Sequence, residues 1–172
     1  MNIRPSLWQD LPAMTALYNH YILTSPCTFD IEPYSVETRA PWFEKFDGVR
    51  WQCLVAEKSG VLLAYACSGE FKPKAAYRTS VEVSIYVAGT EHRRGIARSL
   101  YASLFNSLTG NGVHRAYAGI TLPNDASVAL HREFGFHDAG FYREVGNKFG
   151  RFWDVLWMER PIDAAHVALP PG

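Results

Sequence analysis

A chain of 172 residues that is 48% apolar can bury one substantial core but has no room for two comfortable domains, so a single domain is expected. Its 17 basic residues balance its 17 acidic ones, which removes any global field that would recruit nucleic acid or an anionic membrane and leaves anion binding to a local cluster. The three cysteines, Cys27, Cys53 and Cys67, are odd in number and far apart in sequence, which suits small buried hydrophobes in a reducing compartment better than a disulfide framework or a metal site. No apolar run approaches about 18 residues and no basic stretch leads into an apolar signal segment, so a cytoplasmic protein is expected.

Taken in order, Asn2 to Pro5 reads as a short strand. Asp10 comes next as a helix N-cap, with Pro12 in the first turn and Leu11, Met14, Leu17, Tyr18, Tyr21 and Ile22 on one face. Ser25 to Tyr34 holds two prolines and mixed polarity, the composition of a loop. Ser35 opens a second helix reaching toward Phe46, with Pro41 as an interruption. Gln52 to Glu57 and Val61 to Ser68 flank Lys58-Ser59-Gly60 as an antiparallel hairpin, and Phe71 to Tyr77 is a basic connection into the next strand.

The strand over Val81 to Val87 and the helix after it organise the chain. Val81, Val83, Ile85 and Val87 alternate with Glu82, Ser84 and Tyr86, so one apolar row enters a core and Glu82 falls on the other row. Beyond His92-Arg93-Arg94-Gly95-Ile96-Ala97, the residues Ala97, Leu100, Tyr101, Leu104 and Leu108 recur at helical steps, with Gly112 as a stop. A helix start offers unpaired N–H donors and the positive end of the macrodipole; Arg93, Arg94 and Arg98 add full charges there. On these residues alone the stretch is either an anion cradle or a basic, solvated helix start. Val113 to Ile120 gives another strand, and Pro123-Asn124-Asp125 precedes a helix ended by Gly135. Two last strands are expected at Asp138 to Val145 and Phe152 to Arg160, then a flexible tail over 163–172 behind a domain spanning 1–162. The alternation of strands and helices favours an α/β (α+β) fold, a mixed central sheet with helices on both faces.

The glycine- and arginine-bearing turn resembles motif A of the GCN5-related N-acetyltransferase (GNAT) superfamily, Q/R-x-x-G-x-G/A, with Ala97 as the last small residue and His92 where Gln or Arg is usual. The resemblance implies a single GNAT-type domain that uses acetyl-CoA and no metal, its pyrophosphate held at Arg93, Arg94, Gly95, Ile96, Ala97 and Arg98. It also implies that the strands flanking motif A splay apart to admit the pantetheine arm. The thioester carbonyl would then meet a backbone N–H at a bulge among Ile85, Tyr86 and Val87. Asn124 would hydrogen-bond the arm, and it also suits an N-cap.

Acetyl transfer to an amine needs a base, because an α-ammonium group is mostly protonated at neutral pH. Glu82 is the candidate, its apolar neighbours raising its pKa; the alternative is an exposed strand carboxylate. Many superfamily members offer the departing thiolate a Tyr in L-Y-x-x-x-G-F, where this chain has Leu130-His131-Arg132-Glu133-Phe134-Gly135-Phe136. His131 is therefore either proton donor or structural.

Closer resemblance is to the phosphinothricin and methionine sulfoximine acetyltransferase branch. Tyr18-Asn19-His20-Tyr21, Phe29 through Glu32-Pro33, Tyr77-Arg78-Thr79-Ser80-Val81-Glu82, Ser84-Ile85-Tyr86-Val87, Pro123-Asn124 with Ser127 and Leu130-His131, and Val145 to Gly150 with Trp153-Asp154 carry it. It implies a small amino-acid-like acceptor, with Arg78 on its α-carboxylate and Phe29, Glu32 and Tyr34 in its pocket, Lys72 and Lys74 ranking below. It implies a homodimer in which the Asn147–Gly150 loop reaches toward the neighbour's site. The competing readings are a GNAT enzyme for another amine and a non-catalytic acetyl-CoA-binding module; a P-loop enzyme ranks third, since the G-x-x-x-x-G-K-[ST] spacing is missing.

Overall fold

The chain forms seven strands: β1 (Asn2–Pro5), β2 (Cys53–Lys58), β3 (Val61–Glu70), β4 (Ser80–Val87), β5 (Arg115–Thr121), β6 (His137–Lys148) and β7 (Arg151–Pro161). Helical spacing gives α1 (Leu11–Thr24), α2 (Val36–Phe43), α3 (Ile96–Leu108) and α4 (Asp125–Glu133). This computed structural model describes residues 1–89 and 95–162. His92, Arg93 and Arg94 of the motif A turn and the expected tail at 163–172 lie outside the described residues. The strands form one sheet in the order β1-β2-β3-β4-β5-β7-β6, antiparallel throughout except for β4 and β5. A parallel pair needs a crossover, which α3 supplies.

Two cores form because the sheet is covered on both faces. Leu54 and Ala56 of β2, Ala64 and Ala66 of β3, Val81 and Val83 of β4 and Ala116 and Ala118 of β5 pack with Leu100, Tyr101, Leu104 and Leu108 of α3. The small alanines let α3 approach the sheet closely. The other row, Cys53, Val55, Tyr65 and Cys67, packs with Leu11 and Met14 of α1 and Phe43 of α2. Cys53 and Cys67 stand opposite one another across β2 and β3 as free, buried thiols. Cys27 is also free and only half-buried.

Some expectations shift for local reasons. Asp10 stands at the start of α1, but its carboxylate makes no cap there; it accepts the Leu7 N–H at 2.7 Å and the Arg4 guanidinium at 2.7 and 2.9 Å. Ser35 does cap α2, accepting the Thr38 N–H at 3.2 Å. Pro41 supplies no N–H to that helix, which ends at Phe43 rather than Phe46. In β6, Arg143 to Val145 stand opposite the single residue Asp154, whose carboxylate accepts the Glu144 N–H at 2.7 Å. This bulge bends the end of β6 away from a flat ladder.

Candidate active site

The parallel ladder between β4 and β5 lasts for three rungs, Ser80 on Arg115, Val81 on Ala116 and Glu82 on Tyr117. Beyond Glu82 the two strands part. Val83 to Val87 on one side and Ala118 to Thr121 on the other wall a cleft of about 950 Å³, which the start of α3, the length of α4 and Tyr21 and Cys27 complete. Ile85, Tyr86, Val87, Gly95, Ile96, Ala97, Arg98, Asn124 and His131 all line it, so the candidates for holding a cofactor converge on one place. The expected bulge is absent: β4 keeps unbroken register with β3 from Val81 on Glu70 to Val87 on Ala64. Main-chain groups of β4 turn toward the cleft because β5 departs from its other edge. The Tyr21 hydroxyl donates to the Val87 carbonyl at 2.6 Å, tying α1 to the end of that strand.

At the cleft's mouth, Gly95 opens α3 with φ +75°, a left-handed conformation that glycine adopts without strain. Gly95 has no side chain to cap the helix, and its first turn contains no acid, so the leading N–H donors stay available to an anion. Arg98 is already engaged: its Nε donates to the Glu133 carboxylate, joining α3 to the end of α4 across the mouth. On the facing wall the Asn124 side-chain oxygen accepts the Ser127 N–H at 3.1 Å. Asn124 is thus the N-cap of α4, with its amide N–H groups left as donors.

His131 is 3% exposed, and both its ring nitrogens have partners. Nδ1 lies 2.8 Å from the Ser127 carbonyl, which can only accept, so Nδ1 carries the proton and Nε2 accepts from the Tyr101 hydroxyl at 3.0 Å. Burial lowers the imidazole pKa, only partly opposed by the Ser127 carbonyl. The ring is therefore a neutral brace between α3 and α4, which suits the structural one of the two roles left open for it by the sequence. Unfolded histidine titrates near 6.5, so below that value the unfolded chain binds the extra proton before the folded one does. Stability should be flat above about pH 6.5 and fall as pH drops from there toward the folded value. Thermal melts of wild type and His131→Gln across pH 5 to 7 check this, with the variant expected to show the shallower loss.

Glu82 occupies the last rung before the fork, on the row opposite the α3 core. Gly69 stands beside it on β3 and Tyr117 on β5. Burial raises its carboxyl pKa above the usual carboxylate range, and among the described residues it has no hydrogen-bond or ion-pair partner. It does not line the cofactor-sized cleft, nor do Phe29, Glu32 or Arg78. Glu32 and Arg78 are exposed; Arg78 sits two residues ahead of β4 with its carbonyl accepting from Arg50 at 3.2 Å. The acceptor candidates thus do not share the cleft that the cofactor candidates line.

Lys148 stands in the Val145 to Gly150 stretch that carries the branch resemblance, with no role of its own read from the sequence. It is 5% exposed, and its ammonium donates to the carbonyls of Ser25 at 3.0 Å and Thr28 at 2.7 Å. The Phe29 ring rests on Gly146, where a Cβ would come within 2.2 Å of it. The end of β6 therefore fixes the chain's own Ser25 to Tyr34 loop. Lys148→Met should leave the half-buried Ser25 and Thr28 carbonyls without that donor and loosen the loop. The expected readout is an acceptor KM raised roughly tenfold with acetyl-CoA affinity unchanged, measured by steady-state kinetics beside calorimetry. Tyr101 also escaped notice as a site residue, because its helical spacing marks it equally well as core, while Tyr21 and Ser127 stand in the family-like stretches with no role assigned to them singly.

Residues 3–157 match the family model described as an acetyltransferase (GNAT) domain. The phosphinothricin N-acetyltransferase of Streptomyces coelicolor is 49% identical over 165 residues, covering 94% of this chain and 96% of that one. An L-methionine sulfoximine/L-methionine sulfone acetyltransferase of Pseudomonas aeruginosa is 32% identical, covering 97% of this chain and 98% of its own. Among solved structures, a GNAT superfamily phosphinothricin acetyltransferase from Sinorhizobium meliloti in complex with AcCoA superposes with a TM-score of 0.90 at 30% identity, over 99% of this chain and 92% of that one.

Proposed function

Because the chain belongs to the GNAT acetyltransferase family, we propose that it moves the acetyl group of acetyl-CoA to the α-amino group of a small amino-acid-like acceptor of the phosphinothricin, methionine sulfoximine or methionine sulfone type. The observation that carries this reading is the fork at Glu82: the strands part at a residue whose carboxyl is half-buried, unpaired among the described residues and raised in pKa. Acetyl-CoA binds with its diphosphate on the first N–H groups of α3 and its pantetheine arm between β4 and β5. Asn124 serves the arm. The acetyl end then lies by Ile85 to Val87, and the acceptor approaches from the α1 and α2 side.

Glu82 takes one proton from the acceptor's ammonium, directly or through water, and the freed amine attacks the thioester carbonyl. A main-chain N–H of the bared β4 edge stabilises the oxyanion; one well-aimed donor of this kind is worth about 3 kcal/mol. As the intermediate collapses, the C–S bond breaks, the nitrogen gives up its second proton and the thiolate gains one. His131 acts here by holding the Tyr101 hydroxyl at the cleft wall rather than as an imidazolium acid. Arg78 binds the acceptor carboxylate, with Phe29 and Glu32 near the side chain.

The relatives' names support the acceptor class, since they cover nearly the whole chain. A homodimer is also part of this reading. The edge strand β6 and its hairpin expose Phe141, Tyr142, Val145, Phe149 and Phe152, an apolar surface suited to a second copy. No described helix is long and apolar enough to cross a membrane, and the described residues hold no group of three or more His, Cys, Asp or Glu arranged for a metal.

The test is thiol release from acetyl-CoA with phosphinothricin, methionine sulfoximine, methionine sulfone and unmodified methionine. Faster turnover of the compounds with a tetrahedral phosphorus or sulfur centre is expected. Absence of release with every member of the panel would refute the acceptor assignment.

A further inference from the structure

The proposed mechanism leaves the buried cation of α2 unused. Arg39 of α2 is 7% exposed, and its guanidinium carbon stands 4.0 Å from the Tyr18 ring centre, 3.9 Å from Trp42 and 5.1 Å from Tyr34. Among the described residues no carboxylate lies within ion-pair distance of it and no acceptor hydrogen-bonds its nitrogens. Buried charges ordinarily have an anionic or polar partner. The only described buried side-chain polar atom that lacks a partner while sealed from solvent is the Tyr65 hydroxyl, so the guanidinium nitrogens keep an open edge even though aromatic rings crowd the group.

The position of Arg39 relates it to the fork. Tyr18 meets Tyr86 edge-on at 5.1 Å, and Tyr65 lies against both Tyr86 at 5.3 Å and Trp42 at 6.1 Å. Tyr86 shares its row of β4 with Glu82, four residues away, roughly 13 Å along a strand. Between them Cys67 stands opposite Ser84. Burial raises that thiol to about 12, while the Arg39 charge pulls it down and the Glu82 charge pushes it up. A cation and a carboxyl therefore bracket one stretch of the sheet on the side where the acceptor approaches. An amino acid with oxygens on a side-chain phosphorus or sulfur presents a matching layout: the amine and the carboxylate share the α-carbon at one end, and the oxo oxygens lie at the other.

We propose that Arg39 is a binding residue of the acceptor site, donating through its planar fork to charged or strongly polar acceptor oxygens, either the α-carboxylate or those on the tetrahedral centre. This rests on the acceptor class given under the proposed function. Arg39 thereby sets which amines are used, whereas Glu82 sets how fast they react.

The experiment compares wild type, Arg39→Met and Arg39→Lys on methionine sulfone, methionine and methionine sulfone amide, with acetyl-CoA affinity measured calorimetrically and each fold checked by thermal melting. Arg39→Met should raise KM for methionine sulfone roughly 10- to 100-fold, the range for a lost charge-assisted hydrogen bond, with acetyl-CoA affinity unchanged. Arg39→Lys, which keeps the charge without the fork and protects against a folding failure of the first variant, should lose less. If the carboxylate is the partner, the amide escapes the penalty; if the oxo oxygens are, methionine escapes it. An equal penalty on all three acceptors would overturn the assignment and make Arg39 a structural prop. Wild type that acetylated none of the three would instead overturn the acceptor reading, and the Arg39 assignment with it.

Discussion

Glu82→Gln is expected to lower kcat at neutral pH by roughly 10²- to 10⁴-fold, the usual worth of a positioned general base, while acetyl-CoA affinity stays as in wild type. Glutamine keeps the size and polarity of the side chain and removes only its ability to accept the proton. The pH profile makes the test specific. Burial holds the Glu82 carboxyl above the usual carboxylate range, so the active, ionised form is lost at a higher pH than for an ordinary glutamate. Wild-type activity should therefore fall as pH drops through that raised value, and this limb should vanish in Glu82→Gln, leaving only the rise that accompanies deprotonation of the acceptor amine. An unchanged profile would remove Glu82 from the mechanism.

Ala97→Glu should weaken acetyl-CoA binding by about 100-fold or more, equivalent to about 2.7 kcal/mol. The residue lines the cleft in the first turn of α3, where a carboxylate would compete with the cofactor's diphosphate for the same N–H donors and repel it. The same substitution puts an acid at the positive end of a helix that has none in its first turn, which is favourable by about 0.3 to 1 kcal/mol. Binding should collapse while the melting temperature holds or rises. A misfolded variant would lose both, so calorimetry beside a thermal melt separates the two causes.

Much of this fold is legible in the sequence, for reasons that particular residues make clear. The row Val81, Val83, Ile85 and Val87 enters the α3 core and Glu82 falls on the other face because a strand's period of two leaves no alternative. The α3 stripe has the same origin at period 3.6. Local competition escapes the pattern. Asp10 has the place of a helix cap, yet Arg4 and the Leu7 N–H claim its carboxylate, and Arg4 comes from a neighbouring strand whose position no local rule supplies. The missing bulge is similar: β4 frees its edge because β5 diverges, a property of two strands 30 or so residues apart.

The site divides along the same line. Gly95, Ala97, Asn124 and Glu82 stand at turns, helix starts and strand rows that sequence spacing fixes. Lys148 and Arg39 matter through contacts with distant segments, Lys148 with the carbonyls of Ser25 and Thr28 and Arg39 with the rings of Tyr18 and Trp42. His131 is visible as a motif departure, but its tautomer and its bond to Tyr101 depend on how α3 and α4 meet. Long-range packing decides such roles, and composition is silent about it.

The most direct measurement is calorimetric titration of the protein with acetyl-CoA and, separately, with S-acetylpantetheine, which carries the thioester and the arm but no diphosphate. Micromolar affinity for acetyl-CoA and at least 100-fold weaker binding of S-acetylpantetheine are expected, because the proposed site holds the diphosphate at the α3 start and uses the fork only to guide the arm. No heat with acetyl-CoA at millimolar concentration would contradict the cofactor site as a whole, and equal affinity for the two would contradict the placement of the diphosphate at the start of α3.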